Sequence, residues 1–435
     1  MTAALFRSLQ VRNYRLFASG QAISLTGTWM QRLAQDWLVL RLSHGSGTAV
    51  GITTGLQFLP TLLFGLYGGV LADRYPKRVL LLVGQTGMGL TALVLGLLDV
   101  TGLVTLWQVY ALAFALGLAS VLDVPVRQAF VSELVGPDLV PNAVSLNSAI
   151  FNTARIVGPT VAGIIIGLWG TGPAFLANAA SYLAVIAGLL LLRGGELHPA
   201  QPEPREPGQL RAGLRYVRAR PDLLVPIALI GVVGTFGLNF QITMALIATE
   251  VFGRGAGAYG LLSAGLAIGS LLGALLAAAR RAVRLRLVLG AAFAFGVLEV
   301  VTGLMPTYWT FFALLVPTGA AALTMTTAAN AALQARTSPQ MRGRVMALYI
   351  LVFLGGTPFG APVIGWLATV AGPRSSLLIG GVVSALAAVA AAVVLVRARR
   401  MTVTPHLTRP HLQVHVRRLP PEPTSAACDS VANAS

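Results

Sequence analysis

The chain alternates between long apolar stretches and short polar gaps, and the apolar stretches have the length of a membrane span. A hydrocarbon core of about 30 Å needs roughly 20 apolar helical residues, and only elements that satisfy their own backbone hydrogen bonds are stable within it. Twelve stretches meet this description, near 16–42, 48–71, 79–98, 104–122, 143–168, 172–192, 223–248, 258–279, 287–304, 308–332, 345–370 and 375–396. The pattern predicts an all-α membrane protein with 12 transmembrane helices.

The longest interior polar stretch, 194–221, divides these spans into six and six. Its second half places Leu210, Leu214 and Val217 on one helical stripe, which predicts an amphipathic helix at the lipid interface. We expect a six-helix bundle over 1–193, the linker over 194–221, a second six-helix bundle over 222–400 and a tail over 401–435. The tail lacks apolar periodicity, so it is predicted to be disordered.

The two halves of the chain resemble each other. A shift of 202 positions places Gly158 and Gly163 on Gly360 and Gly365. Small residues recur in many membrane proteins, but here the repeat agrees with the division into six and six spans. Two pseudo-symmetric bundles of this kind are typical of transporters that rock one half against the other around a central site.

Basic residues concentrate in every second gap between the spans. Of the 31 Lys and Arg residues, 26 fall on one side, and the other side has only Arg41, Arg254 and Arg374. Because basic loops stay cytoplasmic, we expect a multi-pass protein of the bacterial inner membrane with both termini in the cytoplasm. The net charge of +17 then reflects topology and not nucleic-acid binding.

Composition argues against several other classes of protein. Only 10% of the residues are charged, against about 25% in a soluble domain. Cys428 is the only cysteine, and we find no phosphate-binding loop, nucleophile–base set or cluster of metal ligands. The first span is too long and too polar for a cleaved signal peptide. We expect no cofactor, no metal and no enzymatic activity. We also expect the protein to function as a monomer.

The gap between the second and third spans carries a recognisable motif. Residues 69–78, Gly-Val-Leu-Ala-Asp-Arg-Tyr-Pro-Lys-Arg, resemble the cytoplasmic signature of the major facilitator superfamily, G-x-L-x-D-R-x-G-R-[RK], with Pro76 in place of the second Gly. Residues 123–135 and 29–32 resemble the branch of that superfamily that includes the enterobactin exporters. The resemblance covers about residues 5–400 and implies the major facilitator fold and a secondary transporter.

In this family the motif suggests a conformational latch. The Asp73 carboxylate is expected at the positive N-terminal end of the eleventh span, near 343–345, and Lys77 or Arg78 is expected to reach Asp123. The alternative is an ordinary basic turn between spans, which explains the basic residues but not Asp73. Asp123 and Arg127 can also form an i,i+4 pair instead of a gate. The latch residues are thus Gly69, Asp73, Arg74, Lys77, Arg78, Asp123 and Arg127.

The fifth span contains residues 154–163, which resemble the antiporter motif G-x-x-x-G-P-x-x-G-G with Ala at two of its positions. Gly158, Pro159 and Gly163 permit close helix contact and a bend. In the superfamily this motif accompanies export, so the resemblance implies export.

Three spans carry ionisable groups. Arg155 lies about 18 Å into the fifth span, where an unpaired charge costs at least about 3 kcal/mol. It is expected to face a central cavity as a substrate anchor or partner of an acid; the alternative is a structural ion pair or bonding to backbone carbonyls. Glu299 in the ninth span is expected to form a pair or to lie near the outer interface rather than to take part in proton coupling. In this superfamily the ninth span usually belongs to the outer, supporting helices and not to the cavity wall.

A polar stripe follows the first span: Gln21, Ser24, Thr28, Gln31, Arg32, Gln35 and Asp36. Lipid would not tolerate this face, so it should line the cavity. Asp36 can exchange a proton, since burial favours its neutral form while Arg32 or a cationic substrate favours the ionised form. The alternative is that Arg32 and Asp36 form a pair near the outer surface. The remaining predicted cavity residues are Gln31, Gln35, Asn239, Gln241, Asn330 and Tyr349.

These features together predict a secondary active transporter that works by alternating access. It would export a small amphipathic organic molecule, such as a drug, a siderophore or a metabolite, in exchange for protons. An uptake permease of the same fold remains an alternative, and a membrane receptor or scaffold without transport is a more distant one. A scaffold would need neither the buried Arg155 nor the polar stripe of the first span.

Overall fold

The computed structural model describes residues 6–198, 209–278, 284–398, 401–408 and 411–418, without the side chains of 66, 68–70, 72–73, 209–211, 278, 398 and 401–418. The helices are α1 (Arg12–Leu42), α2 (Gly47–Arg74), α3 (Lys77–Val100), α4 (Leu106–Ser120), α5 (Asp123–Val135), α6 (Val140–Trp169), α7 (Thr171–Leu190), α8 (Gln209–Arg218), α9 (Pro221–Phe236), α10 (Phe240–Leu246), α11 (Ala256–Ala278), α12 (Leu285–Gly303), α13 (Tyr308–Arg336), α14 (Pro339–Gly355), α15 (Thr357–Ala371) and α16 (Pro373–Ala398). Short 3-10 turns occur at Arg7–Gln10, Pro137–Leu139 and Gly194–Glu196, and a π-helical turn follows α10 at Ile247–Val251.

Eleven segments are long and apolar enough to cross a membrane. Three of them are broken helices: Leu106–Val135, Pro221–Val251 and Pro339–Ala371. α1 is not among the eleven because its polar stripe lowers its hydropathy, yet its 31 residues reach about 46 Å. With α1 as the first span, the predicted all-α membrane fold is confirmed.

The breaks coincide with residues that disrupt a helix. Gly237 follows the end of α9, and Gly356 separates α14 from α15. Pro125 lies in the first turn of α5, and Pro358 in the first turn of α15, where the missing proline N–H would be unpaired in any case. Neighbouring helices cover such breaks inside a membrane protein.

The two halves repeat the same packing. α1 packs on α7 as α9 packs on α16, and α3 packs on α7 as α12 packs on α16. The halves meet mainly through α2 with α15 and through α6 with α11. These two contacts are equivalent under the twofold pseudo-symmetry of the repeat, because α2 corresponds to α11 and α6 to α15. The division at 1–193 and 222–400 stays a prediction.

The paired glycines of the repeat have equivalent neighbours. A Cβ on Gly158 would lie 2.7 Å from the Thr26 carbonyl of α1, and one on Gly360 would clash with the Thr235 carbonyl of α9. The second glycine of each pair faces the other half: Gly163 lies against Gly257 of α11, and Gly365 against Gly47 of α2. In each glycine pair, the first glycine packs its helix against a helix of the same half, and the second packs it against a helix of the other half.

These cross-half contacts lie at one end of the molecule. We call the end that contains the α2–α3 turn, the start of α5 and the start of α14 the basic end, and the other the opposite end. At the opposite end a Cβ on Gly51 would clash with the Ala361 carbonyl, and one on Gly260 with the Pro159 carbonyl. The backbone N–H of Thr48 donates to Thr369 Oγ1 at 3.1 Å. The halves are thus in backbone contact at the opposite end.

α8 is shorter than the predicted amphipathic segment, and its apolar side faces protein. Val217 is fully buried, and Gly213 packs against Arg344 of α14. α8 also packs on α9, and its predicted location at a lipid interface stays a prediction. Hydrogen bonding to Ser338, which precedes α14, lowers the pKa of the Tyr216 hydroxyl. α8 thereby connects the seventh and eleventh spans.

The C-terminal tail differs from the prediction of disorder where it is described. Met401–Thr408 (β1) and His411–Arg418 (β2) form an antiparallel pair with Val403 opposite Val416. β-branched residues such as Val and Thr favour this extended conformation. Residues 419–435 of the predicted tail lie outside the described residues.

Candidate functional site: a charged cavity between the halves

A cavity of about 810 Å³ lies between the two halves. It begins among residues of the basic end, including Gln85, Asp123 and Arg127, and it extends as far as Gln241 and Tyr259. Beyond these residues lie the glycine contacts of the opposite end. The volume is in the range that accommodates a drug-sized molecule.

Arg155 lies in the cavity wall at the contact between the halves. Its Nη2 donates to the Ser270 Oγ of α11 at 3.0 Å. Its guanidinium carbon is 5.8 Å from the centre of the Trp29 ring. The side chain is therefore held by a neutral hydroxyl and an aromatic ring, with no carboxylate at ion-pair distance among the described residues.

Arg32 lies in the same wall. Its guanidinium carbon is 4.8 Å from the Trp29 ring centre and 5.8 Å from that of Phe58. Its Nε is buried and has no hydrogen-bond partner in the described part of the chain. Two arginines thus share one indole ring, and cation–π contact supports both of them. This wall of the cavity is positively charged.

Asp36 is buried, with 5% exposure, and it lies behind the cavity wall. It forms no ion pair with Arg32 within the described structure; its Oδ2 lies at hydrogen-bond distance from the Tyr259 hydroxyl oxygen, 2.8 Å away. Tyr259 itself borders the cavity and therefore separates Asp36 from it. The alternative of an Arg32–Asp36 pair at the outer surface is contradicted by this burial.

Only part of the predicted polar stripe borders the cavity. Gln21, Ser24, Thr28 and Arg32 do so. The prediction is wrong for Gln31, which accepts a hydrogen bond from Asn178 of α7, and for Gln35, whose Nε2 lies 3.4 Å from Gln57 Oε1 of α2. With 3.6 residues per turn, these two side chains point sideways into the N-terminal half.

The C-terminal half contributes Asn239 and Gln241 to the cavity wall, as predicted. Asn330 and Tyr349 do not reach it. Asn330 Oδ1 accepts a hydrogen bond from Gln334 one turn away, and the Tyr349 hydroxyl donates to the Thr326 carbonyl at 3.2 Å. One of these bonds lies within α13 and the other joins α14 to α13, and neither side chain lines the cavity.

Glu299 is buried outside the cavity, with 2% exposure. Its Oε2 has no partner among the described residues. Its Oε1 packs against Gly380 of α16, where an added Cβ would lie only 3.0 Å from it. The same Cβ would lie 2.7 Å from the Phe236 carbonyl, where α9 ends. The predicted ion pair is therefore absent among the described residues. The predicted proximity to the outer interface stays a prediction; Glu299 lies four residues before the end of α12.

We expect Glu299→Gln to fold and to transport nearly as well as the wild type. An ionised carboxylate without a partner is costly at such a site, so the neutral acid is the expected form, and the amide has the same shape. Glu299→Lys should cost about 3 kcal/mol or more and reduce the membrane yield. Yield, thermal unfolding in detergent and transport rate are the measurements. Loss of proton-driven transport in Glu299→Gln would instead assign Glu299 to coupling.

The residues of the predicted latch form contacts within the N-terminal half. Lys77 Nζ pairs with Glu133 Oε1 at 2.6 Å, and Arg78 Nη2 donates to the Leu190 carbonyl at 2.9 Å. The expectation that either reaches Asp123 is wrong. Asp123 pairs with Arg127 at 2.9 Å and accepts from Gln85 at 2.8 Å, because these groups lie one helical turn away and on the adjacent α3.

The other half of the predicted latch is less complete. The burial of Gly69 and the side chain of Asp73 are not described, and Arg74 is exposed at the end of α2. A Cβ on Gly343, in the second turn of α14, would meet nothing within 4 Å among the described residues. Any contact between Asp73 and 343–345 stays a prediction.

Two helical bundles around a charged cavity are the arrangement of many membrane transporters. The sequence model of a family described as transmembrane secretion effectors matches residues 3–418. The chain belongs to this family, and so to the major facilitator superfamily.

Relatives are found in several bacteria. The chain is 27% identical to the enterobactin exporter EntS of Shigella boydii over 408 residues, 90% of this chain and 94% of that protein. It is 30% identical to the staphyloferrin A transporter of Staphylococcus aureus over 179 residues, which spans 41% of this chain and only 44% of the relative. Among solved structures, a bacterial homologue of the lysosomal transporter Spinster, inward-facing and unoccupied, matches 87% of this chain and 95% of its own with a TM-score of 0.71. At 16% identity this likeness concerns the fold alone.

Proposed function

We propose that the protein exports a small amphipathic organic molecule with an acidic group, in exchange for protons, across the bacterial inner membrane. The observation that carries this proposal is the pair Arg32 and Arg155 on the Trp29 ring, facing the cavity without a carboxylate at ion-pair distance in the described structure. An unbalanced charge within a membrane is costly, so such residues mark substrate sites.

Charge balance supports an anionic group on the substrate. Two guanidinium groups lie on this wall. The acid on the same helix as Arg32, Asp36, bonds to Tyr259 and does not line the cavity. At least one positive charge is left for a ligand. Guanidinium groups bind carboxylates and similar anions through paired hydrogen bonds. Trp29 and Phe58 offer aromatic surface to the apolar part of the molecule.

The direction of transport is proposed from the relatives and from the fifth span. The relative that aligns over most of the chain carries the name enterobactin exporter. The Gly158–Gly163 segment, which resembles the antiporter motif, packs against α1 and α11. If the basic end is cytoplasmic, the cavity begins on the cytoplasmic side and can load from there. A siderophore is one acidic molecule of this class.

We propose a latch at the basic end for the second half of the cycle. When the halves close there, Asp73 would approach the first turn of α14, where backbone N–H groups and the helix dipole favour a carboxylate. The Lys77–Glu133 and Asp123–Arg127 pairs would keep the edge of the N-terminal half rigid.

The test is transport into inverted membrane vesicles, whose cytoplasmic face is outside. The probes are an aromatic carboxylate and its methyl ester, and the vesicle interior is made acidic. We expect the acid to accumulate above the level of vesicles without the protein, the ester not to accumulate, and a protonophore to abolish the difference. Equal accumulation with and without the protein would overturn the proposal. Accumulation only in right-side-out vesicles would favour the uptake alternative.

A further inference from the structure

Three oxygen atoms form a chain across the halves at the inner limit of the cavity. Tyr259 of α11 places its hydroxyl oxygen 2.8 Å from Asp36 Oδ2 of α1 and 3.1 Å from the Gln241 carbonyl of α10. Asp36 belongs to the N-terminal half, and the other two residues belong to the C-terminal half. Gly257 and Gly260 lie beside Tyr259 on α11, so this chain of oxygens is at the level of the glycine contacts of the opposite end.

The number of available hydrogens limits which of these two contacts can be hydrogen bonds in each protonation state of Asp36. A tyrosine hydroxyl has one hydrogen to donate, and a backbone carbonyl has none. If Asp36 is ionised, Tyr259 donates to it, and the 3.1 Å contact with Gln241 brings two acceptors together. If Asp36 is protonated, it donates to Tyr259, which donates to Gln241. Only the protonated acid turns both short contacts into hydrogen bonds.

We propose that a proton on Asp36 locks the opposite end of the transporter through Tyr259, and that its loss opens that end. This inference rests on the proposed function, in which Asp36 carries the exchanged proton. Tyr259 is a positioning residue here: it connects the acid of one half to the backbone of the other. Because its ring borders the cavity, its hydroxyl is also the route by which the proton reaches the cavity.

Magnitudes decide the direction of the effect. An ionised Asp36 would gain a stronger bond from Tyr259, since a charged acceptor adds about 1 kcal/mol over a neutral one. Keeping the ion away from water costs several kcal/mol after relaxation. The second contribution is larger, so the ionised acid favours the conformation in which water enters from the opposite end. Proton loss and opening are then linked, as an exchanger requires.

Other titratable groups around Asp36 do not replace it in this role. Arg32 lies one turn away on α1, and Tyr259 contacts Asp36 from α11. The helices α6 and α7, which pack on α1, carry Arg155 and Tyr182, and α10 carries no titratable side chain. Arginine stays charged, and tyrosine ionises near pH 10. None of these groups changes its charge between pH 5.5 and 8.5.

The test measures the width of the opposite end against pH in the full chain. In a Cys428→Ser background, Leu103→Cys and Leu304→Cys place spin labels on exposed loop positions of the two halves. We expect pulsed EPR to show a short distance at pH 5.5 and a growing long-distance population toward pH 8.5. A single proton changes the ratio of the two populations by up to about tenfold per pH unit.

Variants separate the gate from other causes. Asp36→Asn, a permanently neutral side chain, should keep the short distance at every pH. Tyr259→Phe should lose the pH response and show the long distance at pH 5.5. Tyr308→Phe is the matched control, because it removes another hydroxyl that bonds α11, at the Ala258 carbonyl, and it should respond like the wild type.

An unchanged pH response in Asp36→Asn or in Tyr259→Phe would overturn the gate. Vesicle transport distinguishes this failure from that of the proposed function. Proton-driven export with no pH response in the distances leaves the function standing and removes the gate. A pH response that Asp36→Asn abolishes, without proton-driven export, keeps the gate and overturns the proposed exchange.

Discussion

Arg155→Ala should abolish transport while the protein still folds and inserts. The side chain is one of the two cations that face the cavity, and a hydrogen bond to a charged group contributes about 1.5–3 kcal/mol. This corresponds to a loss of about 10- to 150-fold in substrate affinity. Removing an unpaired membrane charge should not lower stability. Substrate binding, followed by quenching of the Trp29 fluorescence in a variant without the other tryptophans, is the measurement.

Two further variants test whether the charge or the contact matters. Arg155→Lys keeps the charge but lacks the planar fork, so it should retain part of the binding. Ser270→Ala removes only the cross-half hydrogen bond and should bind nearly normally. Wild-type transport by purified Arg155→Ala in proteoliposomes would contradict the assignment of this residue as a substrate anchor.

Gly365→Leu should trap the transporter with its opposite end open and stop the cycle. A Cβ at this position would clash with the Gly47 carbonyl and would lie 3.3 Å from the Gly51 Cα. Both are backbone atoms of α2, so the halves must separate. Overpacking of this kind costs about 1–3 kcal/mol, enough to reverse a balanced equilibrium between two conformations. We expect a long distance between labels at Leu103 and Leu304 and transport reduced at least about tenfold.

Gly167→Leu is the matched control for this substitution. Gly167 lies on α6 near the opposite end of the molecule. A Cβ there would meet nothing within 4 Å among the described residues. It should transport normally with an unchanged distance between the labels. A short distance in Gly365→Leu would show that the glycine contacts do not limit the approach of the halves.

In the proposed function, proton coupling follows a different route from the one that the sequence suggests. Competition between a proton and a cationic substrate requires an acid in the cavity wall and a cavity that attracts cations. Here the wall contains Arg32 and Arg155, and Asp36 lies behind Tyr259. We infer that the proton acts on the closure of the halves and not on the substrate directly.

Local physics made much of this protein predictable from its sequence. The length of a bilayer determines the length of each span, so apolar stretches predicted the helices within a few residues. The spacing of Gly158 and Gly163, repeated at Gly360 and Gly365, predicted close helix contact in both halves. The i,i+4 spacing of Asp123 and Arg127 was sufficient to suggest their pair, which the structure contains at 2.9 Å.

Tertiary structure decided which polar residues border the cavity. Gln31 and Arg32 are neighbours in sequence, and a rotation of α1 by a fraction of a turn would exchange their surroundings. That rotation depends on the packing of α1 against α6 and α7. No local pattern reports it.

Tyr259 had no signal in the sequence at all, because a single tyrosine in an apolar span is ordinary. Its partner Asp36 is 223 positions away. The sequence by itself determined the spans, the repeat and the presence of buried charge, because these depend on hydropathy and on spacing along one helix. The folded structure decided which charges face the cavity and which acid touches Tyr259, because those contacts join helices that are distant along the chain.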